Sequence, residues 1–115
     1  YGFLAGLNGD SKWLDEHKSK IKKRLDYCLQ RISEIDGLEC ESPGAAFYLF
    51  VKIKDPNLSK NDKNFVLDLL NEKHVLVVHG SGFSSEFGNG HFRMVCLPSI
   101  DILKEAFDRI SEFLT

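Results

Sequence analysis

The sequence is poor in cysteine and proline, with three of each among 115 residues. The cysteines are odd in number, widely spaced and without a Cys-x-x-Cys pair, so they favour neither a disulfide framework nor a zinc site. Cys28 and Cys96 fall on apolar faces of predicted elements, as small core residues in a reducing compartment do. We therefore expect a cytoplasmic protein.

Long apolar runs and an excess of positive charge are also missing. No stretch approaches the roughly 20 apolar residues of a membrane-spanning helix, and no secretory signal pattern is present. The net charge is -2 and the pI is near 6.1, whereas nucleic-acid-binding domains usually carry a basic footprint. The one basic cluster, 18–24, is typical of the solvated face of a helix. We expect neither nucleic acid nor a membrane as a partner.

Recognisable catalytic and metal-binding patterns are absent as well. The histidines lack metal-ligand spacing, and there is no Ser-His-Asp order, no pair of catalytic carboxylates and no Cys-His pair. The turn 80–82 follows a predicted strand, as in dinucleotide-binding proteins, but the third glycine is missing and no helix begins there. The residues alone therefore predict no catalytic group, no cofactor-binding group and no metal ligand.

What the sequence does contain is the material for one globular domain, with 43% hydrophobic residues and nine phenylalanines. Apolar residues recur at spacings of three, four and seven, which predicts a long amphipathic helix over 11–35. Residues 1–10 resemble the end of an upstream element or a linker. We therefore place the domain at 11–115.

The remaining elements predict an α+β fold. Period-two alternation indicates a strand over 47–53, and a second helix precedes a short apolar strand at 75–78. A glycine-rich loop at 79–90 leads to another strand that begins at His91, and an apolar stripe over 103–114 predicts a last helix. The order α-β-α-β-β-α requires a small three-stranded sheet with helices packed on it, an α/β two-layer sandwich.

Arg93 is the most informative residue because it interrupts the apolar strand after the glycine-rich loop. A guanidinium stays charged at any working pH, and half-burying it is costly unless an anion meets it. No carboxylate lies within five residues on its own strand. The partner is therefore either a ligand anion, for which the planar fork favours a carboxylate, or an internal acid such as Glu86.

Four segments, in order, resemble motifs of the class I/II (fold type I) pyridoxal-phosphate-dependent aminotransferases. Residues 43–50, PGAAFYLF, resemble the P-x-G-A-F-Y strand, and 75–83, VLVVHGSGF, resemble V-x-V-x-P-G-S-x-F. Residues 90–95, GHFRMV, resemble the strand G-x-x-x-R, and 103–114 resemble the ending L-x-x-A-x-x-R-[IL]. The residues of these segments are most similar to those of the alanine aminotransferase branch. The resemblance implies the C-terminal small domain of such an enzyme.

That resemblance implies specific roles. Arg93 would bind the α-carboxylate of an amino acid or 2-oxo acid substrate, and the loop before it would shield the site with a possible substrate-facing group: His79, Gly80, Ser81, Gly82 and Phe83. The family's Schiff-base lysine and its other pyridoxal phosphate ligands lie upstream of these motifs, so the isolated chain is expected to be inactive. The parent enzyme would be a homodimer formed through its large domain.

Three departures concern the loop and the strand before it. His79 stands where the family usually has proline, Ser84 stands where glycine often follows the phenylalanine, and Ala45 replaces the glycine of G-A-F-Y. A second interpretation from a different class also stays open, in which the chain is a free-standing regulatory module. Arg93 and the glycine loop would then bind an amino acid or another carboxylate without chemistry.

Overall fold

A small antiparallel sheet organises the chain, and helices cover one of its two faces. The computed structural model describes all residues from Tyr1 to Thr115. The helices are α1 (Gly2–Asn8), α2 (Lys12–Ser33), α3 (Pro56–Ser59), α4 (Asp62–Lys73) and α5 (Ile100–Leu114). The strands are β1 (Leu38–Glu39), β2 (Tyr48–Ile53), β3 (Val78–His79) and β4 (His91–Val95). The predicted α+β two-layer class is confirmed.

The strand order is β1-β2-β4-β3, and every neighbouring pair is antiparallel. Strands β2 and β4 form the centre, with Phe50 opposite Arg93. On its other side Arg93 pairs with Val78 of β3. The register therefore puts Arg93 in the middle of the sheet rather than at an edge.

The predicted strand count was wrong by one. The sheet has four strands because Leu38 and Glu39 pair with Ile53 and Lys52, and a strand of two residues is too short to show alternation in sequence. The strand predicted at 75–78 is also displaced, since only Val78 and His79 join the ladder. Helices α1 and α3 add two short elements to the predicted order.

The core lies between the sheet and the helices. Alternation along β2 buries Leu49, Val51 and Ile53 on one face, and Phe92 and Met94 of β4 join them. The helices contribute the facing apolar side chains: Cys28, Ile32, Phe65, Val66, Leu69, Leu103, Phe107 and Ile110. The predicted stripe of α5 is confirmed, and this single apolar cluster packs strands β1, β2 and β4 against the helices.

The first 20 residues lie away from this core. Helix α1 buries no residue, and α2 is exposed until Ile21. Helix α2 begins at Lys12 and ends at Ser33, two residues before the predicted end, because the Glu34 and Ile35 amides bond to carbonyls three residues back and tighten the last turn. That 1–10 belongs to an upstream element stays a prediction. No helix of the structure is both long and apolar enough to span a bilayer.

Candidate functional site

The second face of the sheet has no helix on it, and we call it the open face. It carries the alternate side chains of the two central strands: Tyr48, Phe50, Lys52, His91, Arg93 and Val95. Tyr48 and Phe50 are each 40% exposed, which is high for aromatic residues on central strands. The open face of the sheet therefore presents exposed aromatic side chains around a central arginine.

Arg93 has no partner within the chain. It makes no hydrogen bond and no ion pair, and its Nε atom is buried without a hydrogen-bond partner. The alternative of an ion pair between Arg93 and Glu86 or another acid of this chain is not found among the ion pairs of the structure. A buried donor on a charged group is costly to leave unpaired, which makes Arg93 the candidate anion-binding residue of this chain.

The other arginines show what a structural arginine looks like in this fold. Arg31 lies 2.7 Å from Asp108, 3.4 Å from Glu34 and within hydrogen-bond distance, 3.0 Å, of the Tyr27 hydroxyl. Arg24 and Arg109 each donate to a backbone carbonyl, and Arg109 also pairs with Glu105. Arg93 alone lacks such contacts, which separates it from the arginines that join elements together.

Two aromatic rings hold the Arg93 guanidinium. Its Cζ lies 4.5 Å from the Tyr48 ring centroid and 4.3 Å from that of Phe83. Stacking of this kind is attractive by about 0.5–2 kcal/mol, more when the pair is desolvated. Neither ring carries an oxygen or nitrogen acceptor bonded to the guanidinium, so its N–H donors stay available to a planar anion.

The glycine-rich loop brings Phe83 to this position. Residues Gly80–Gly82 form one 3-10 turn, closed by a bond of 2.9 Å from the Phe83 amide to the Gly80 carbonyl. A Cβ on Gly80 would lie 2.2 Å from the Gly88 carbonyl oxygen, so the two backbone segments touch. Glycine is required there by close approach rather than by a special backbone angle.

The five predicted loop residues separate into two groups. Phe83 contacts Arg93 and also meets Phe50 edge-on at 6.4 Å. His79 and Ser81 instead turn towards helix α4, where Ser81 bonds to Asp62. Gly80 is buried and Gly82 lies under the His79 ring. Whether these residues face a substrate stays a prediction.

Sequence reasoning did not single out the rings around Arg93. Alternation predicts the strand that carries Tyr48, but only the tertiary structure shows that Tyr48 and Phe83 lie against the guanidinium. His91 was also missed: its ring stacks on Phe50 at 5.0 Å, and its Nδ1 lies 2.9 Å from the Asn89 carbonyl oxygen. His91 and Arg93 are two residues apart on one strand, so their side chains lie on the same face. This spacing could have identified His91 from the sequence.

The titratable groups with displaced pKa values lie outside this site. Contact with Cys96 and burial raise the pKa of the Cys28 thiol, so Cys28 remains a protonated core residue. Burial raises the pKa of Cys40, whose Sγ lies 3.4 Å from the Phe50 carbonyl oxygen. The structure contains no group of three or more His, Cys, Asp or Glu side chains arranged to hold a metal ion.

The protein is an α+β domain with one face of its sheet free of helices. That open face carries Arg93, which lies against two aromatic rings and has no ion-pair partner. The family model for aminotransferase class I and II matches residues 3–110. An alanine aminotransferase from Pyrococcus furiosus superposes with a TM-score of 0.90 at 52% identity, covering 96% of this chain and 28% of that one. The chain belongs to the class I and II aminotransferase family.

Curated relatives support the same family. An aspartate aminotransferase of Bacillus subtilis is 38% identical over 99% of this chain and 29% of its own length. The glutamate-pyruvate aminotransferase AlaA of Haemophilus influenzae is 40% identical over 73% of this chain and 21% of its own length. The chain thus spans less than a third of these relatives, and it is similar to the small α+β part of the solved structures.

Proposed function

We propose that this chain is the substrate-carboxylate-binding part of an aminotransferase, with Arg93 as the residue that clamps the α-carboxylate. One observation carries the proposal: Arg93 is stacked on two rings while its Nε is buried without a partner. A carboxylate accepts two parallel hydrogen bonds from a guanidinium, which would satisfy the buried donor. The other arginines, already bonded within the chain, could not do this without losing structural contacts.

Such a clamp contributes to catalysis by orientation. A carboxylate held at two points cannot rotate, so the α-carbon substituents of the bound molecule keep one direction relative to the open face. The rings of Tyr48 and Phe83 hold the guanidinium itself, which lowers the entropy lost when the substrate binds. The amino acid and the 2-oxo acid share this carboxylate, so one site would serve both substrates.

The whole protein would transfer an amino group between an L-amino acid and a 2-oxo acid with pyridoxal phosphate, which supplies the electron-accepting ring of such reactions. The residues present here do not fit that cofactor. The family's Schiff-base lysine lies upstream of these motifs. The lysine that this chain does place on the open face is Lys52, and its Nζ forms an ion pair with Glu39 at 3.6 Å. No step is therefore assigned to the cofactor within this chain, and the isolated chain is proposed to be inactive.

Relatives suggest the substrates. The names of two of them specify alanine and the glutamate-pyruvate pair, which supports alanine and 2-oxoglutarate as the first substrates to test. A homodimeric parent enzyme in the cytoplasm is also proposed, and the free thiols at Cys28, Cys40 and Cys96 support a reducing compartment. The alternative of a free-standing carboxylate-binding module would use the same Arg93 contacts, and no observation favours it over the enzyme.

The test is Arg93→Lys in the full-length protein that carries this segment, with Arg109→Lys as the matched control. Lysine keeps the charge but loses the planar fork, so we expect the KM for L-alanine to rise at least about tenfold, the equivalent of 1.4 kcal/mol. Arg109 lies on α5, bonded to the Lys73 carbonyl, and its variant should keep the KM within about twofold. An unchanged KM in Arg93→Lys would overturn the proposal.

A second measurement addresses the isolated chain. We expect the 115-residue chain mixed with pyridoxal phosphate to show no cofactor absorbance after dialysis and no spectral change with L-alanine. Retained absorbance that shifts with alanine would contradict the proposed inactivity. Retention of L-alanine without any absorbance would instead favour the regulatory module.

A further inference from the structure

Asp62 is the one charged residue in the buried set, with 2% of its surface exposed. It opens helix α4, where the positive end of the helix dipole favours a carboxylate. No lysine or arginine forms an ion pair with it. Its partners lie nineteen residues away in the glycine-rich loop, and nothing in the family motifs or in the Arg93 contacts accounts for it.

The hydrogen bonds of Asp62 all come from Ser81. The Ser81 amide donates to Oδ2 at 2.8 Å, and the Ser81 hydroxyl donates to Oδ1 at 2.7 Å. An ionised carboxylate only accepts, so the single hydroxyl proton is committed to Asp62. In the 3.0 Å contact between His79 Nδ1 and the Ser81 oxygen the histidine Nδ1–H is then the donor.

These bonds hold the turn that carries Phe83. Ser81 is the central residue of the turn Gly80–Gly82, and the Phe83 amide closes that turn onto the Gly80 carbonyl at 2.9 Å. The Phe83 ring then lies 4.3 Å from the Arg93 guanidinium. Asp62 is thus connected to the candidate site through its hydrogen bonds with Ser81 and through the ring of Phe83.

We propose that Asp62 is a positioning residue of the Arg93 site: through Ser81 it fixes the turn that places Phe83 over the guanidinium. The inference rests on the proposed role of Arg93 as the carboxylate clamp. In Asp62→Asn the second acceptor becomes an amino group, so the Ser81 hydroxyl must change from donor to acceptor and both charge-assisted hydrogen bonds become weaker neutral ones. This weakening would release the turn and with it the ring.

The test is a double-mutant cycle in the full-length protein, with L-alanine as the substrate. We expect Asp62→Asn to raise the KM about three- to tenfold, the size of one lost polar interaction, with a smaller change in kcat. Phe83→Leu removes the ring directly. If Asp62 acts through Phe83, adding Asp62→Asn to Phe83→Leu will raise the KM no further, whereas independent effects would multiply.

Two further variants keep the result decisive. Ser81→Ala leaves the amide bond to Asp62 and removes both contacts of the hydroxyl, to Asp62 and to His79, so it tests the same link if Asp62→Asn does not fold. Asp68→Asn changes an exposed aspartate on the same helix and should leave the KM unchanged.

The outcomes separate the two proposals. A raised KM in Arg93→Lys, together with a coupled effect of Asp62→Asn or Ser81→Ala, supports both. A raised KM in Arg93→Lys with an unchanged KM in the Asp62 and Ser81 variants, or with effects that multiply with Phe83→Leu, overturns the positioning role and leaves the clamp. An unchanged KM in Arg93→Lys overturns the clamp and the positioning role with it.

Discussion

Phe92 and Arg93 are adjacent in strand β4 and lie on opposite faces of the sheet. Phe92 is fully buried and stacks on Phe65 at a ring-centroid distance of 5.7 Å. Arg93 lies on the open face, stacked on Tyr48 and Phe83. One strand therefore supplies both the packing of the core and the candidate site, and substitutions at the two positions should affect different properties.

Substitution of Phe92 tests the core side of this strand. We expect Phe92→Ala to lower the free energy of unfolding by about 3–5 kcal/mol, because a large buried ring is replaced by a cavity. Urea unfolding followed by far-UV circular dichroism measures the change. Phe87→Ala is the control, since Phe87 is 76% exposed and should cost less than about 0.5 kcal/mol. Equal losses in the two variants would contradict the packing described here.

Tyr48 tests the aromatic surface under Arg93. We expect Tyr48→Leu to weaken L-alanine binding by the full-length protein about three- to tenfold, because one stacking partner of the guanidinium is lost. Tyr48→Phe keeps the ring and should bind within about twofold of the unmodified protein. The measurement is the KM for L-alanine. Equal effects of leucine and phenylalanine would show that the ring does not hold Arg93.

Gly80 tests the close approach of the loop backbone. A Cβ there would lie 2.2 Å from the Gly88 carbonyl oxygen and 2.8 Å from that of His91, so Gly80→Ala must push backbone segments apart. We expect a loss of about 1–3 kcal/mol in the free energy of unfolding. Gly44→Ala is the matched control, because its Cβ would meet nothing within 4 Å. A Gly80 variant as stable as the Gly44 variant would refute the contact.

Asp108 gives the protein an acid-dependent part of its stability. Hydrogen bonds from Lys104 and then Arg31 hold the pKa of this carboxyl below its ordinary value of 3.8. A depressed folded-state pKa means that the stabilisation is present above the unfolded value and is lost as the pH falls below 3.8 through the folded value. Asp108→Asn should therefore be less stable near neutral pH and lose less stability on acidification.

The measurement is the urea midpoint between about pH 6 and pH 2, the range over which carboxylates titrate. Asp36→Asn serves as the control, since Asp36 is exposed and forms no ion pair. Parallel pH profiles for the unmodified protein and Asp108→Asn would show that the bonds to Lys104 and Arg31 do not contribute.

Local periodicity predicted the parts of this fold that repeat. The apolar stripe of α5, the buried face of α2 and the alternation in β2 follow from spacings that any helix or strand must obey. Strand β1 was not predicted because its two residues, Leu38 and Glu39, are too few to show alternation. Helix α1 was not predicted either, and none of its residues is buried. The strand around Val75 was displaced because its apolar run fits several registers equally well.

The sequence by itself determined the α+β class, the aminotransferase motifs and the parity that sets Arg93 opposite to Phe92. The tertiary structure alone decided what surrounds Arg93: Tyr48 across the strand pair, Phe83 from the loop, and no acid. It also decided that Asp62, an ordinary first-turn acid in sequence, is buried against Ser81. The physical reason is range: periodicity and helix-end preferences act over a few residues, whereas the partners of a buried charge are chosen when distant segments pack together.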